Sequence, residues 1–396
     1  MPDVLAAIVS DTLAARVANG LMLARAAHRA RQLDERSSAQ SVAVVIDGRP
    51  LINFTSNDYL GLAAHPRVIA RVHEELNQHG FGSGSAALLS GRSSLHAELE
   101  RQLAAFVGME SALLFSSGYL ANLGALTALT SAGDLLLHDR LNHASLIDGV
   151  LASGAHHRRY PHGDSERAES LLCGADHDLM WIVTESVFSM DGDLAPIAAL
   201  DQACLSHGAN LYLDDAHGFG VLNDGRGAAS ILAADRRNAL VTMLTLGKAL
   251  GSVGGVVLAN TAVCEFLVQR ARTYIYDTAL PPVCAAAALE ALAILKESPA
   301  RPRELQARVA YFRQRAAALD IPLTASTTPI QPIMIGDDAR ALAIGHSLQS
   351  AGFYVRPIRP PTVPEGTARL RITLTHDHSN EHIDRLTSAL ANALRP

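Results

Sequence analysis

TMLTLGKALGSVGG, residues 242–255, decides how this chain is read. The apolar run from Leu240 to Leu246 suits a buried strand, and it delivers Lys248 between Gly247 and a second glycine group, Gly251 to Gly255. An ammonium group losing water at such a strand end can drop by several units from a pKa of about 10.4, leaving a neutral amine able to attack an aldehyde. That is what a Schiff-base lysine requires. An isolated Gly-Lys would more often be a lysine whose stem lies along the core while its charge reaches water, so the neighbouring motifs have to decide.

Upstream, LYLDDAHGFG (residues 211–220) ends a short apolar strand with Asp214 and Asp215, at the sheet edge where open α/β folds place ligands. A buried carboxylate against a pyridine ring keeps the ring nitrogen protonated and makes the ring an electron sink. His217 stands within reach of a phenolic oxygen on such a ring. Alone, this Asp-Asp-x-His could equally form a metal site or a solvated turn. Joined to a lysine on the next strand, it favours pyridoxal phosphate.

Composition narrows the function class. A chain of 396 residues supports a substantial core and more than one domain. A net charge of -6 with 18% charged residues, and no polybasic patch, argues against a nucleic-acid partner. The cysteines Cys173, Cys204, Cys264 and Cys284 lie far apart with no C-x-x-C pair, as expected of reduced thiols acting as small buried apolar residues. No signal peptide or membrane span is indicated, so a cytoplasmic protein without a membrane partner is expected.

Residues 1 to about 40 read as an Ala/Arg/Leu-rich helix with Arg25, Arg29 and Arg31 on one face, followed by a strand pair, VAVVID and PLINF, around Gly48. From 55 to 290, helical patterns alternate with ALLF (112–115), DLLLHD (134–139), MWIVTE (180–185), LYLDD and ALVTMLTLG. That rhythm predicts an α/β domain whose mostly parallel sheet carries helices on both faces. PPVCAAAALEALAIL predicts a long helix from 282, after which PIQPIMIGD, YVRPIRPP and ARLRITL (368–374) read as strands of a smaller α+β unit closed by a helix from about Asn380. The expected division is 1–54 joining the small domain, 55–290 as the large domain, and 291–396 as the C-terminal small domain.

Further motifs fall on the expected sheet edge. SSGYLANLGAL (116–126) puts Gly118 at a helix start, where free N–H groups suit a phosphate or a plain cap, with Tyr119 beside it. DRLNHASL (139–146) places His143 beyond a strand, able to stack on a planar ring or to serve structurally. TESVFSMDGDLAP (184–196) places Ser189 at a strand exit, and Thr245 offers a hydroxyl near Lys248.

In order along nearly the whole chain, SNDYLGL (56–62), GSGSAALLSG (82–91), SSGYLAN, DRLNHASL, TESVFSMDGD, LDDAHGFG, TLGKALGSVGG and RPPTVPEGTARLRITL (359–374) resemble the α-oxoamine synthases, a branch of the fold-type I pyridoxal-phosphate enzymes. The resemblance implies a large domain with a seven-stranded, mostly parallel sheet and a smaller domain built from the N- and C-terminal segments. It also implies Lys248 as the Schiff-base lysine, Asp214 as the pyridinium partner, His217 near the phenolic oxygen and His143 on the ring. Gly118, Tyr119, Ser189 and Thr245 become cofactor contacts, and Thr278 a residue reaching the phosphate in the neighbouring subunit of an obligate homodimer. Arg371 matches the arginine that grips an amino-acid carboxylate. Asn57, Thr362 and, as the best N-terminal match, Arg31 become substrate contacts. The last motif most resembles the branch joining L-alanine to a pimeloyl thioester of coenzyme A or acyl carrier protein; branches using glycine or serine, including 5-aminolevulinate synthase and serine palmitoyltransferase, are alternatives.

One segment departs from the family pattern. Ser85-Ala86-Ala87-Leu88-Leu89 stands where a glycine-rich stretch ending in histidine or arginine is usual, so a different thioester preference is expected. Rival readings are weaker. Ala249 after Lys248 breaks the P-loop pattern, and Ala87 breaks a dinucleotide G-x-G-x-x-G. The sets His156, His157, His162 and His376, His378, His382 read as solvated histidines rather than metal ligands. A non-catalytic scaffold is the remaining alternative.

Overall fold

A computed structural model describes residues 12–395 of the chain. Among the described residues the first helix is Leu13–Ala26, all of it at least partly exposed; it ends well before the expected residue 40, and residues 1–11 of that expectation lie outside the described residues. The helix stops where His28 turns to φ 55° and the N–H groups of Arg29 and Ala30 both close on the Ala24 carbonyl. The chain then runs extended across the C-terminal part of the molecule. Strands β1 (Ala43–Ile46) and β2 (Arg49–Asn53) form a hairpin. Its two-residue Asp47-Gly48 turn has positive φ at both positions, the geometry that matches strand twist and that an Asp-Gly pair adopts readily.

The central sheet holds β3 (Ser111–Phe115), β4 (Leu135–Asp139), β5 (His156–Tyr160), β6 (Met180–Glu185), β7 (Asn210–Asp214), β8 (Val241–Thr245) and β9 (Gly255–Ala259). Their order is β3-β9-β8-β7-β6-β4-β5, and only β9 runs against the rest. Helices cover both faces, so alternate residues of one strand enter different cores: Leu211 and Leu213 pack on one side of β7 and Tyr212 on the other. This double burial makes the strands read as continuous apolar runs. The exception is β5, whose HHRRY sequence is exposed from His156 to Arg159 because it forms the sheet edge. Polarity there hides a strand that pattern reading takes for a loop, and it shields the edge from pairing.

Beyond the long helix Pro282–Glu297, strands β10 (Ile330–Gly336), β11 (Phe353–Tyr354), β12 (Pro357–Ile358) and β13 (Ala368–Thr373) build the C-terminal unit. Antiparallel β10-β13-β12 form one sheet, while β11 pairs in parallel with β2 and so ties the two ends of the chain together. YVRPIRPP is not one strand: it breaks into β11 and β12, because Pro357, Pro360 and Pro361 lack donors for a continuous ladder.

Two other expectations change. Cys204 and Cys264 are buried and Cys284 partly so, but Cys173 is exposed, as the cap residue ending helix Ser165–Leu172. His378 is not solvated: it is buried, stacked on Phe54 at 4.0 Å, and bonded to Thr375 N and Asn53 O. Burial holds its pKa down at about 3. His162 sits half-buried between Asp139 and Asp193, and His376 between Glu304 and Asp377. Among the described residues no group of three or more His, Cys, Asp or Glu is arranged to hold a metal ion, and no helix is long and apolar enough to cross a membrane.

Candidate active site

The carboxyl ends of parallel strands β4, β6, β7 and β8 lie together on one side of the sheet, the place where α/β folds present ligand-binding groups. Asp214 ends β7 and is 4% exposed. Its Oδ2 accepts from Asn122 Nδ2 at 2.8 Å and its Oδ1 from Ala216 N at 2.9 Å. Asn122 is itself fixed, donating to Ser145 Oγ and accepting from Tyr212 Oη, each at 2.9 Å. Asp215 faces a different environment, bonded to Ser186 Oγ (2.5 Å) and Ala228 N (2.8 Å). A Cβ at Gly218 or Gly227 would lie 2.0 or 2.1 Å from its oxygens, so those glycines make room for it. Burial pushes Asp215 up to about 7.

Lys248 follows β8 in a turn closed by the Gly251 N–H on its own carbonyl at 2.9 Å. Gly251 needs both its φ of 63° and its missing side chain, since a Cβ would meet Ala63 N at 2.3 Å. Loss of hydration lowers the Lys248 ammonium to about 8, opposed through space by Asp214 and Glu185 and assisted by Arg371. The turn therefore poises an amine near neutrality.

Glu185 ends β6 directly opposite Asp214 in the parallel register. It is buried, its carboxyl held well above the usual range first by desolvation and then by Asp214. It accepts from His143 N at 2.6 Å, which fixes the start of helix Ala144–Ala152. His143 caps that helix, pairs its Nδ1 with Ser145 Oγ at 2.8 Å, and meets the Tyr119 ring edge-on at 6.4 Å. His217 is buried, with Nδ1 2.5 Å from Tyr59 Oη. Burial, then the positive Lys248 and Arg371, keep its pKa well below the ordinary histidine value.

Gly118 opens helix Gly118–Leu129 after β3, and Ser117 Oγ accepts from Leu120 N; the first N–H groups of a helix have no acceptor within it. A side chain at 118 would touch Thr245 Cβ at 3.5 Å, so Thr245 borders the same helix start. Thr245 Oγ1 also bonds Gly254 O at 3.1 Å. Arg371, on β13, is 7% exposed and donates to Asn57 Oδ1 from both terminal nitrogens at 3.1 Å, to Ser189 O at 2.6 Å and to Thr373 Oγ1 at 3.0 Å. Its neighbour Arg369 pairs with Asp191, whereas these bonds of Arg371 all go to neutral groups.

The fold thus brings Lys248, Asp214, His143, His217, Gly118, Tyr119, Thr245, Ser189, Asn57 and Arg371 together at one end of the sheet. Three expected residues lie elsewhere in the single chain. Arg31 and Thr362 are exposed and paired to each other at 3.2 Å, and Thr278 is an exposed residue bridged to Ala86. The apolar segment 85–89 forms part of a tight turn from which Leu88 and Leu89 point outward. Motif reading passed over Asn122, Glu185 and Tyr59. Glu185 had a signal, because it ends an apolar strand as Asp214 does, and Asn122 lies four residues after Gly118 on the same helix face.

The family "Aminotransferase class I and II" matches residues 49–390. The 8-amino-7-oxononanoate synthase of Methylococcus capsulatus is 48% identical over 94% of this chain and 96% of its own. A serine palmitoyltransferase from S. paucimobilis, solved with a PLP-myriocin adduct, superposes with a TM-score of 0.89 at 27% identity, covering 96% of each chain. The 8-amino-7-oxononanoate synthase of Francisella tularensis gives 0.74 at 32% identity over 86% of this chain and 97% of that one. A buried amine and carboxylate on adjacent strand ends, in a chain matched over nearly its whole length by such enzymes, place this protein in the class I and II aminotransferase family, in its α-oxoamine synthase branch.

Proposed function

We propose that this enzyme joins L-alanine to a pimeloyl thioester, forming 8-amino-7-oxononanoate, CO₂ and the free thiol carrier, a step of biotin biosynthesis. The observation that carries this reading is the likeness to synthases of that product over nearly the whole chain, together with a buried arginine, near the Lys248 amine, whose bonds go to neutral groups. The cofactor is pyridoxal 5′-phosphate, and the residues fit it. Lys248 would hold its aldehyde, Asp214 its ring nitrogen, the helix start at Gly118 and Tyr119 with Thr245 its phosphate, and His143, Ser189 and His217 its ring and phenolic oxygen. When bound, it supplies a sink for the charge released at the alanine Cα.

The chain's own groups do the rest. Lys248, with a pKa of about 8, can take the Cα proton and return one without needing a strong base. Asn122 and the Ala216 N–H fix both oxygens of Asp214, so its charge stays aimed at the ring. Arg371 grips the alanine carboxylate through its two terminal nitrogens, with Asn57 as the neutral group that yields them. His143, held by Glu185 and Ser145, orients the ring and faces the incoming thioester. The new bond joins the alanine Cα to the acyl carbon, the C–S bond breaks to free the thiol, and the carboxylate leaves as CO₂. Holding both reactants in line can supply roughly 7–11 kcal/mol.

Thr278, exposed in the single chain, reaches the phosphate of a second copy in a homodimer with shared sites. The acyl carrier is coenzyme A or acyl carrier protein in the cytoplasm. Mass spectrometry of products from alanine, glycine and serine, each paired with thioesters of several lengths, tests the reading. It expects 8-amino-7-oxononanoate from alanine and the pimeloyl thioester. Equal turnover of glycine or serine would move the enzyme to another branch.

A further inference from the structure

The turn Phe188–Asp193 lies between the central sheet and the C-terminal unit, and it carries the Ser189 carbonyl that holds Arg371 Nε at 2.6 Å. From the C-terminal side it is gripped at several points. Arg369 donates to Asp191 Oδ1 at 2.5 Å, and Ser326 and Thr328 donate to Gly192 O at 2.7 and 2.9 Å. There is no slack at the contact, because a Cβ on Gly192 would lie 2.3 Å from Ile330 O.

From the sheet side the polar hold comes from Glu185, whose carboxyl accepts from the Ser189 N–H, and from His162. Its Nε2 meets Asp193 Oδ2 at 2.8 Å and its Nδ1 meets Asp139 Oδ1 at 3.0 Å. Asp139 is the buried last residue of β4 and is itself anchored, accepting from Leu141 N and Gly163 N at 2.8 Å each. The His162 ring stands edge-on to Phe188 at 4.3 Å, so it fixes both ends of the turn. With a carboxylate at each nitrogen, both nitrogens donate. Burial alone would lower its pKa, but the two carboxylates prevail and raise it to about 10.

We infer that His162, clamped between Asp139 and Asp193, is a positioning residue that sets the Ser189 carbonyl and thereby aims Arg371 at the amino-acid carboxylate. The inference rests on the proposed role of Arg371. His162 need not touch substrate: it acts through the turn.

Asp193 is the accessible end of the clamp, with a side chain 39% exposed, so its replacement spares the core. Steady-state kinetics of the holoenzyme should be compared for Asp193→Ala, Asp193→Asn and Arg371→Ala. Asp193→Ala is expected to raise the alanine KM about fivefold, leaving the thioester KM within about twofold. Asp193→Asn keeps an acceptor for the imidazole and should restore the parent alanine KM. A parent-like alanine KM in Asp193→Ala, an equal rise in both KM values, or an Asp193→Asn variant as impaired as Asp193→Ala would overturn the clamp. If Arg371→Ala is selective for alanine while Asp193→Ala is silent, the clamp alone falls. If Arg371→Ala shows no selectivity, the carboxylate reading falls with it.

Discussion

The sheet edge around Lys248 and the strap of residues 28–34 are both rich in charge, yet they are built in opposite ways. At the edge, charged groups are buried with part of their bonding capacity unspent: Lys248 is lowered to about 8, Glu185 is raised, and Arg371 meets neutral groups. On the strap every arginine is already engaged. Arg29 pairs with Asp338 and Glu365 and Arg31 with Thr362, while the strap's Asp34 pairs with Arg356. The first region gives up stability to keep its groups reactive; the second is screened by water and fastens residues 29–34 to the C-terminal unit.

Lys248→Met breaks this contrast most sharply. It should reduce kcat by more than about a thousandfold, since proton transfer at Cα loses its base. The same variant should raise the Tm of the cofactor-free protein by about one to a few degrees at pH 7, because a desolvated ammonium is removed. The sign follows from the lowered pKa: the penalty is present below about pH 8 and fades as pH rises from about 8 to the unfolded value near 10.5. Thermal melts of parent and variant should therefore converge across that interval. Melts that stay parallel would remove the desolvation argument.

Asp214→Asn comes next. It keeps the shape and the Asn122 contact region but loses the charge, so turnover should fall roughly 10²–10⁴-fold, as for removal of a proton-transfer partner. Exchange of the alanine α-proton in deuterated water measures the step directly, and exchange at the parent rate would contradict the electron-sink role. Arg371→Ala should lower kcat/KM for alanine about 10- to 100-fold, the value of a charge-assisted hydrogen bond, with the thioester KM nearly unchanged. At the small end, Glu365→Ala on the strap should leave Tm within about one degree and turnover at the parent level, since exposed ion pairs contribute little. A larger change would show the strap to be more than a tether.

The strands that carry the site were legible because burial on both faces makes them apolar and their last residues polar: LYLD ends in Asp214 and MWIVTE in Glu185. What escaped reading depends on pairing rather than on local pattern. Glu185 matters because the β6–β7 register sets it opposite Asp214, and no periodicity within β6 announces that. The strand β5 was hidden by its edge position, and the short first helix by the distant Asp338 and Glu365 that hold Arg29 in an extended segment. His378, placed among solvated histidines from its polar neighbours, is buried because Phe54 of the N-terminal segment covers it. Sequence context reports the chain beside a residue, not the partner folded onto it.

The tether itself offers the most direct test. Lys296 is the chain's other lysine, and it lies at the exposed end of a helix bonded to Gln102, far from any strand end. Borohydride reduction of the holoenzyme followed by peptide mass mapping should find the pyridoxyl group on the peptide containing Lys248 and on no other. Label on Lys296, or no label at all in a coloured and active preparation, would contradict the account.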